Sequence, residues 1–259
     1  MGERKTMTTE LTVRNEMVEI GRRMYEKDLV AATDGNMSVR LDPETILITP
    51  TGSCLGFLQP ADLAIIDLEG KSRSKTIKPT SEYRLHLEVY RQRKDVSAVV
   101  HGHPPICTAF TVAGEQLDLC VLPEVVFTLG AIPTIPYGTP TTDEPPRVIK
   151  EYIGRCDAMI LDRHGTLTVG ESLIGAYYKL EKIEHTAKVV LTARMLGDVK
   201  VLDKNQVDRL MRVRAEAGLR GHIIHCICAP PAAAASPSEI NEDQLTRTIT
   251  SEVLKIIQG

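Results

Sequence analysis

The chain has 259 residues, of which 42% are hydrophobic and 25% charged, with a formal net charge of −3. These proportions suit one large α/β domain and indicate neither a disordered chain nor a membrane class. So small a charge gives no electrostatic reason to expect nucleic acid, and an anionic ligand must be held by local groups.

The opening residues, "MGERKTMTTELTV", carry basic groups with no apolar run behind them, and no later stretch reaches about 18 apolar residues. Nothing is therefore expected to target or span a membrane. Residues 9–30 place Leu11, Met17, Val18, Met24 and Leu29 at helical intervals, with Thr8 or Thr9 to cap the start. After the loop "ATDGN", the β-rich runs "MSVRLD" and "TILITP" around "DPE" predict a hairpin, and "LAIIDLEG" predicts a third strand. A helix is predicted over 82–93, where Leu85, Leu87, Val89 and Tyr90 follow a Thr-Ser start, and "VSAVVH" reads as the next strand. Further strands fit "TIPY", "AMILD" and "TLTVG", and further helices fit 144–153 and 172–196.

Short strands mixed with long helices predict an α/β fold, a three-layer sandwich with a mostly antiparallel sheet flanked by helices. The low-complexity stretch "APPAAAASPS" over 229–238 divides a catalytic domain of residues 1–228 from a linker and helical tail of residues 229–259. Six cysteines (Cys54, Cys107, Cys120, Cys156, Cys226, Cys228) lack the density of a disulfide framework and read as reduced thiols of a cytoplasmic protein.

The chemistry centres on "AVVHGHPP". Residues i and i+2 of a strand share a face, so His101 and His103 project side by side if the strand runs extended to its end. Pro104 and Pro105 then end the strand and leave the pair at its rim. A histidine pair can also close a strand by hydrogen bonding. His164 in "DRHGTL" supplies a third imidazole, and three neutral histidines with an open position make a catalytic zinc arrangement. Imidazole also suits iron, cobalt and nickel.

Glu82, in the first turn of the helix after "PTS", suits the helix dipole. Beside it Thr80, Ser81 and the helix N-terminus favour an anion such as phosphate, and the loops "TDGN" (33–36) and "TPTG" (49–52) can expose N–H groups to an oxyanion. His86 lies four residues after Glu82 on the same helix face, where packing or support of Glu82 is favoured over metal ligation. His185 reads as structural or at the surface, and "RQRK" (91–94) as a solvated helix end. "GHIIHCIC" (221–228) gathers His222, His225, Cys226 and Cys228, but its spacing matches no common zinc finger.

In their order, "DGNMSVR", "ITPTG", "PTSEYRLHLEVY", "AVVHGHPP" and "RHGTLTVG" resemble the class II aldolase/adducin superfamily, within it the fuculose-1-phosphate aldolase branch, over roughly residues 10–217. The resemblance implies one zinc per subunit on His101, His103 and His164, with Glu82 as the acid/base that also reaches the metal when substrate is absent. It implies a substrate phosphate lying among Gly35, Asn36, Thr51, Gly52, Thr80 and Ser81. It further implies a homotetramer with active sites at subunit interfaces, and cleavage of a ketose 1-phosphate to dihydroxyacetone phosphate and an aldehyde.

One departure from the family pattern matters. The sugar aldolases use a tyrosine in the region that here reads "LCVLPEVVFTLG", where Leu122, Glu124 and Phe127 stand and no tyrosine does. Tyr137 or a tail residue replaces it, or the reaction needs no such acid, as in decarboxylation of a phosphorylated 3-oxo sugar acid. A ketopentose-phosphate 4-epimerase is a further family chemistry, and a non-catalytic module like the adducin head is the alternative of another class. The apolar, thiol-containing content of this region points to an aldehyde less polar than lactaldehyde, from a deoxy or thioether sugar.

Overall fold

The computed structural model describes residues 9–225. Thr8, Cys226, Cys228, the Ala/Pro-rich stretch and the expected boundary at 228/229 lie outside the described residues. The strands are β1 (Asn36–Asp42), β2 (Thr45–Ile48), β3 (Ala64–Asp67), β4 (Ala98–Gly102), β5 (Thr134–Ile135), β6 (Ala158–Leu161) and β7 (Gly165–Gly170). The α-helices are α1 (Glu10–Glu26), α2 (Tyr83–Gln92), α3 (Pro105–Val112), α4 (Pro123–Thr128), α5 (Glu144–Lys150), α6 (Leu173–Leu196) and α7 (Lys204–Glu216).

All seven strands join one mixed sheet in the order β3-β2-β1-β4-β7-β6-β5. Five of the six neighbouring pairs are antiparallel, and β5 pairs with β6 in parallel. Alternation along the strands sorts the core into layers. Ile46, Ile48, Val99, Met159 and Leu161 face Leu85, Val89 and Tyr90 of α2 and Ile149 of α5. Leu47, Ala98 and Val100 face Met17, Ile20 and Met24 of α1 and Ala176 and Leu180 of α6, while Ala158 and Ile160 meet α3, α4 and the rest of α6. Helices therefore cover both faces, the three-layer sandwich the sequence predicts.

Thr9 is the α1 N-cap, its hydroxyl accepting from the Thr12 N–H at 3.3 Å. Leu29 is not part of that helix: the chain leaves it after Glu26, passes through a positive φ of 56° at Asp28, and returns Leu29 to the core with its N–H on the Met24 carbonyl at 2.9 Å. Helices α3, α4 and α7 have no counterpart in the sequence reading. The first two are 8 and 6 residues long, too short for a helical period to declare itself, and each starts on a proline at its first position. The mostly polar α7 buries only Val207 and Arg214.

The antiparallel register gathers one end of the sheet. Asn36, which opens β1, sits opposite His101 near the end of β4, and His101 sits opposite Leu167 near the start of β7. Ser38 sits opposite Ile48, the last residue of β2. The loops "TDGN" before β1 and "TPTG" after β2, and the segment after His101, lie at this end of the sheet.

Candidate metal centre

His101 lies within β4, fully buried. His103 follows the strand by one residue, its N–H bonded to the Leu29 carbonyl at 2.8 Å. His164 belongs to the tight β6–β7 turn, where Arg163 takes a positive φ of 53° and donates its N–H to Thr111 Oγ1 at 2.8 Å. Gly165 is required beside it, since a Cβ there would collide with the Gly102 carbonyl and the His103 ring. Gly35, at φ 75°, likewise packs against Val30 and the His101 carbonyl with no room for a side chain.

These turns bring the three imidazoles together, with ring centroids 4.8, 4.8 and 5.0 Å apart. Glu82 occupies the N-cap position of α2 but does not cap it. Its carboxylate reaches His101 Nε2 at 3.3 Å through Oε2 and His164 Nε2 at 3.4 Å through Oε1. One ligand atom from each of the four residues lies within 4.8 Å of the other three. Asp34, whose carboxylate is 3.8 Å from His103 Nδ1, is a neighbour the sequence reading did not assign.

The electrostatics concentrate positive charge on one ring. Burial disfavours a charged His101, but the Glu82 carboxylate and the Nδ1–H bond to the Thr166 carbonyl at 2.8 Å outweigh it and raise its pKa. His103 and His164 are pushed down to about 3 and about 4, by burial first and by the charge on His101 second. Burial pushes the Glu82 carboxyl up, yet His101, His164 and the Asn36 amide together hold it well below the usual carboxylate range. The result is an ionised carboxylate with two neutral imidazoles beside a third.

This donor set fits a divalent metal. His101 spends its Nδ1–H on Thr166, so Nε2 faces the cluster, and His103 Nε2 stands 2.9 Å from it. Two ring nitrogens that close need one proton or one cation between them. Three imidazoles and a carboxylate are ligands that zinc and other borderline divalent ions accept.

Around Glu82 the structure links residues that the sequence reading had not joined to one another. Asn36 Nδ2 donates to Glu82 Oε2 at 2.8 Å, and Asn36 Oδ1 meets His86 Nε2 at 2.5 Å. The other ring nitrogen of His86 is 2.7 Å from Ser38 Oγ, itself 2.8 Å from the Tyr90 hydroxyl. His86 thus reaches Glu82 through Asn36. The i+4 spacing predicts packing or support of Glu82, but the support runs through Asn36, and Asn36 and Ser38 lie about 50 residues earlier and only the sheet brings them in.

The two segments expected at a phosphate do adjoin. The Thr51 N–H bonds the Lys78 carbonyl at 3.1 Å, and the Thr80 N–H bonds the Thr49 carbonyl at 2.9 Å. Thr80 is buried with its hydroxyl receiving the Glu82 N–H at 3.3 Å, whereas Thr51, Gly52 and Ser81 are exposed. Gly35 and Asn36 join them through Met37, whose N–H bonds Thr49 Oγ1 at 3.2 Å.

Tyr137 is exposed, with the Arg163 guanidinium 5.2 Å from its ring centre, one residue before His164. The segment with Leu122, Glu124 and Phe127 runs into α4, which packs on α7. His185 is exposed, and His222 Nδ1 donates to the Gly154 carbonyl at 2.7 Å. Cys226 and Cys228, the other half of that His/Cys group, lie outside the described residues.

Residues 15–191 match the family model described as Class II Aldolase and Adducin N-terminal domain. The chain is 39% identical over 176 residues to the L-fuculose phosphate aldolase of Methanococcus vannielii, covering 67% of this chain and 93% of that one. It is 33% identical over 205 residues to the 3-oxo-tetronate 4-phosphate decarboxylase of Pectobacterium atrosepticum, covering 77% and 92%. Among solved structures, YgbL from Escherichia coli, offered as an aldolase, epimerase or decarboxylase, superposes with a TM-score of 0.71 at 31% identity over 78% of this chain and 98% of that one.

Proposed function

The chain belongs to the class II aldolase and adducin N-terminal domain family, and from that premise we propose that it is a zinc-dependent aldolase cleaving a ketose 1-phosphate to dihydroxyacetone phosphate and an aldehyde. The observation that carries the reading is the ionised Glu82 carboxylate among His101, His103 and His164. A divalent metal on the three histidines, with Glu82 as a further ligand when substrate is absent, would supply Lewis-acid polarisation of the substrate's oxygens.

The other steps fall to side chains and backbone N–H groups of this chain. Thr51, Gly52 and Ser81, with Gly35, Thr80 and the Asn36 Nδ2 proton that Glu82 does not take, hold the phosphate at the start of α2. When the carbon–carbon bond breaks, its electron pair stays on the ketose fragment as an enediolate. Glu82, once it has taken up the proton that the aldehyde-side hydroxyl loses, delivers it to that carbon, making the hydroxymethyl group of dihydroxyacetone phosphate and returning to the carboxylate, and it removes that proton in the reverse direction. Tyr137, held against Arg163, is our candidate to exchange the proton of the aldehyde-side oxygen.

A second reading, decarboxylation of a 4-phosphorylated 3-oxo acid, is favoured by one observation: no tyrosine stands between Leu119 and Gly130, and carbon dioxide leaves without needing that proton. Epimerisation of a ketopentose phosphate ranks behind both. Turnover of 1-phosphorylated ketoses and of 4-phosphorylated 3-oxo acids, scored by release of dihydroxyacetone phosphate or of carbon dioxide, separates them. Dihydroxyacetone phosphate is expected, and carbon dioxide alone would replace the first reading with the second. A chain that purifies without metal in the absence of chelators, and turns over neither class, would be a non-catalytic interaction module. The proposal also includes a homotetramer, in which residues 110–140 meet a neighbour and set the preferred aldehyde, and a cytoplasmic location. Light scattering on the purified protein tests the assembly.

A further inference from the structure

Helix α2 carries Glu82, His86 and Tyr90 at intervals of four, one stripe about 12 Å long. Strand β1 carries Asn36, Ser38 and Arg40 at intervals of two, one row. The two polar lines face each other inside the molecule, where Ser38, His86 and Tyr90 are fully buried and Asn36 is 3% exposed. We propose that Tyr90, Ser38, His86 and Asn36 form a one-way hydrogen-bond chain that orients the Glu82 carboxylate, making His86 a positioning residue for the reaction read above, on which this assignment rests.

The direction of every bond follows from chemistry. The Asn36 amide donates Nδ2–H to Glu82 Oε2 at 2.8 Å, and its carbonyl oxygen faces His86 Nε2 at 2.5 Å. A carbonyl only accepts, so His86 Nε2 bears the proton. His86 is bonded to no carboxylate and burial holds it neutral, which leaves Nδ1 with a lone pair for the Ser38 hydroxyl proton. The Ser38 oxygen then accepts from Tyr90, over whose ring the Arg40 guanidinium sits at 4.7 Å. Five side chains are thus linked with every proton assigned. A core serving packing alone would place apolar groups at these positions, since each buried polar atom costs stability unless partnered.

Two further readouts besides turnover test this. Nitrogen-15 NMR of the protein reports the His86 tautomer, and crystal structures of wild type, His86→Gln and His86→Leu report the Asn36–Glu82 contact. Expected are the Nε2–H tautomer, a contact kept in His86→Gln, whose amide still donates to Asn36, and one lost in His86→Leu. Exchange of the hydroxymethyl proton of dihydroxyacetone phosphate should fall about 10- to 100-fold in kcat in the leucine variant, with KM little changed, and recover in the glutamine variant. Tyr90→Phe, which removes one terminal hydroxyl, covers the case in which the leucine variant does not fold, and is expected to loosen the Glu82 carboxylate by a smaller degree. An Nδ1–H tautomer overturns the proposal, as does an undisturbed Asn36–Glu82 contact in His86→Leu or, if that variant does not fold, in Tyr90→Phe. If wild type neither exchanges that proton nor releases dihydroxyacetone phosphate, the functional reading falls, and the tautomer and contact still decide the chain.

Discussion

Glu82 and His86 sit four residues apart on one helix and end in opposite electrostatic states. Glu82 is buried enough to disfavour charge, but three neighbours hold it ionised. Glu82→Gln keeps the side chain's size and removes its basicity. We expect proton exchange at the hydroxymethyl carbon of dihydroxyacetone phosphate to fall by about 100-fold or more, while elemental analysis still finds the metal on the three histidines. Exchange at the wild-type rate would remove Glu82 from the mechanism. His86 is held down to about 3 by burial, then by the charge on His101, from an ordinary 6.5. Its folded pKa is thus below its unfolded one, so the unfolded chain binds the extra proton between these values. The resulting stability is complete above pH about 6.5 and drains away as pH falls towards 3. Urea unfolding of the metal-free protein across that window should show a shallower acid loss in His86→Gln than in wild type, and equal slopes would mean that His86 titrates normally.

At the scale of elements, the β4–β7 pairing holds the histidines in place. Gly165 is in contact with the Gly102 carbonyl across this pair, so Gly165→Ala must push the strands apart where His101, His103 and His164 converge. A loss of about 1–3 kcal/mol in unfolding free energy is expected, together with weakened metal binding by calorimetry; unchanged binding would show that the strand ends are not what sets the cluster. The far end of the same sheet is fastened by charge instead. Asp157 bonds Arg93 Nη2 at 2.9 Å and Lys179 Nζ at 2.8 Å, and Arg93, 4% exposed in its side chain, depends on it and on Asp95. Asp157→Ala removes one of the two carboxylates on Arg93, which keeps Asp95 and the Ile153 carbonyl, and should cost about 1–3 kcal/mol by urea denaturation. Because that pair lies at the opposite strand ends, beside Gly170, metal binding should survive at permissive temperature.

For the whole molecule, the cluster ties three separated segments, residues 82, 101–103 and 164, into one point. Any ion bound there acts on all of them. One divalent ion per chain is expected, and at about 100 times its dissociation constant it should stabilise the fold by about 2.7 kcal/mol. Thermal unfolding with and without chelator reads this directly, and His103→Ala should abolish the difference. An identical midpoint with and without chelator in wild type would count against a resident metal.

Much of this was legible in residue order. Strand and helix periods give the sandwich, and the motifs around His101, His103, His164, Glu82 and the small polar loops mark the site, because those features are local and each lies within a few residues of its own signal. Helices α3 and α4 were not legible, being too short to express a period. Nor were the side-chain partners of Asn36, a residue read only as part of a phosphate loop, which the β1–β4 register brings to Glu82 and His86. By itself the sequence determined the fold class and the kinds of chemical group available. Only the tertiary structure decided which of those groups meet and which carboxylate stays charged, because hydrogen bonds and charge shifts depend on side chains that lie 46 to 52 residues apart along the chain and come within 3 Å only in the packed sheet.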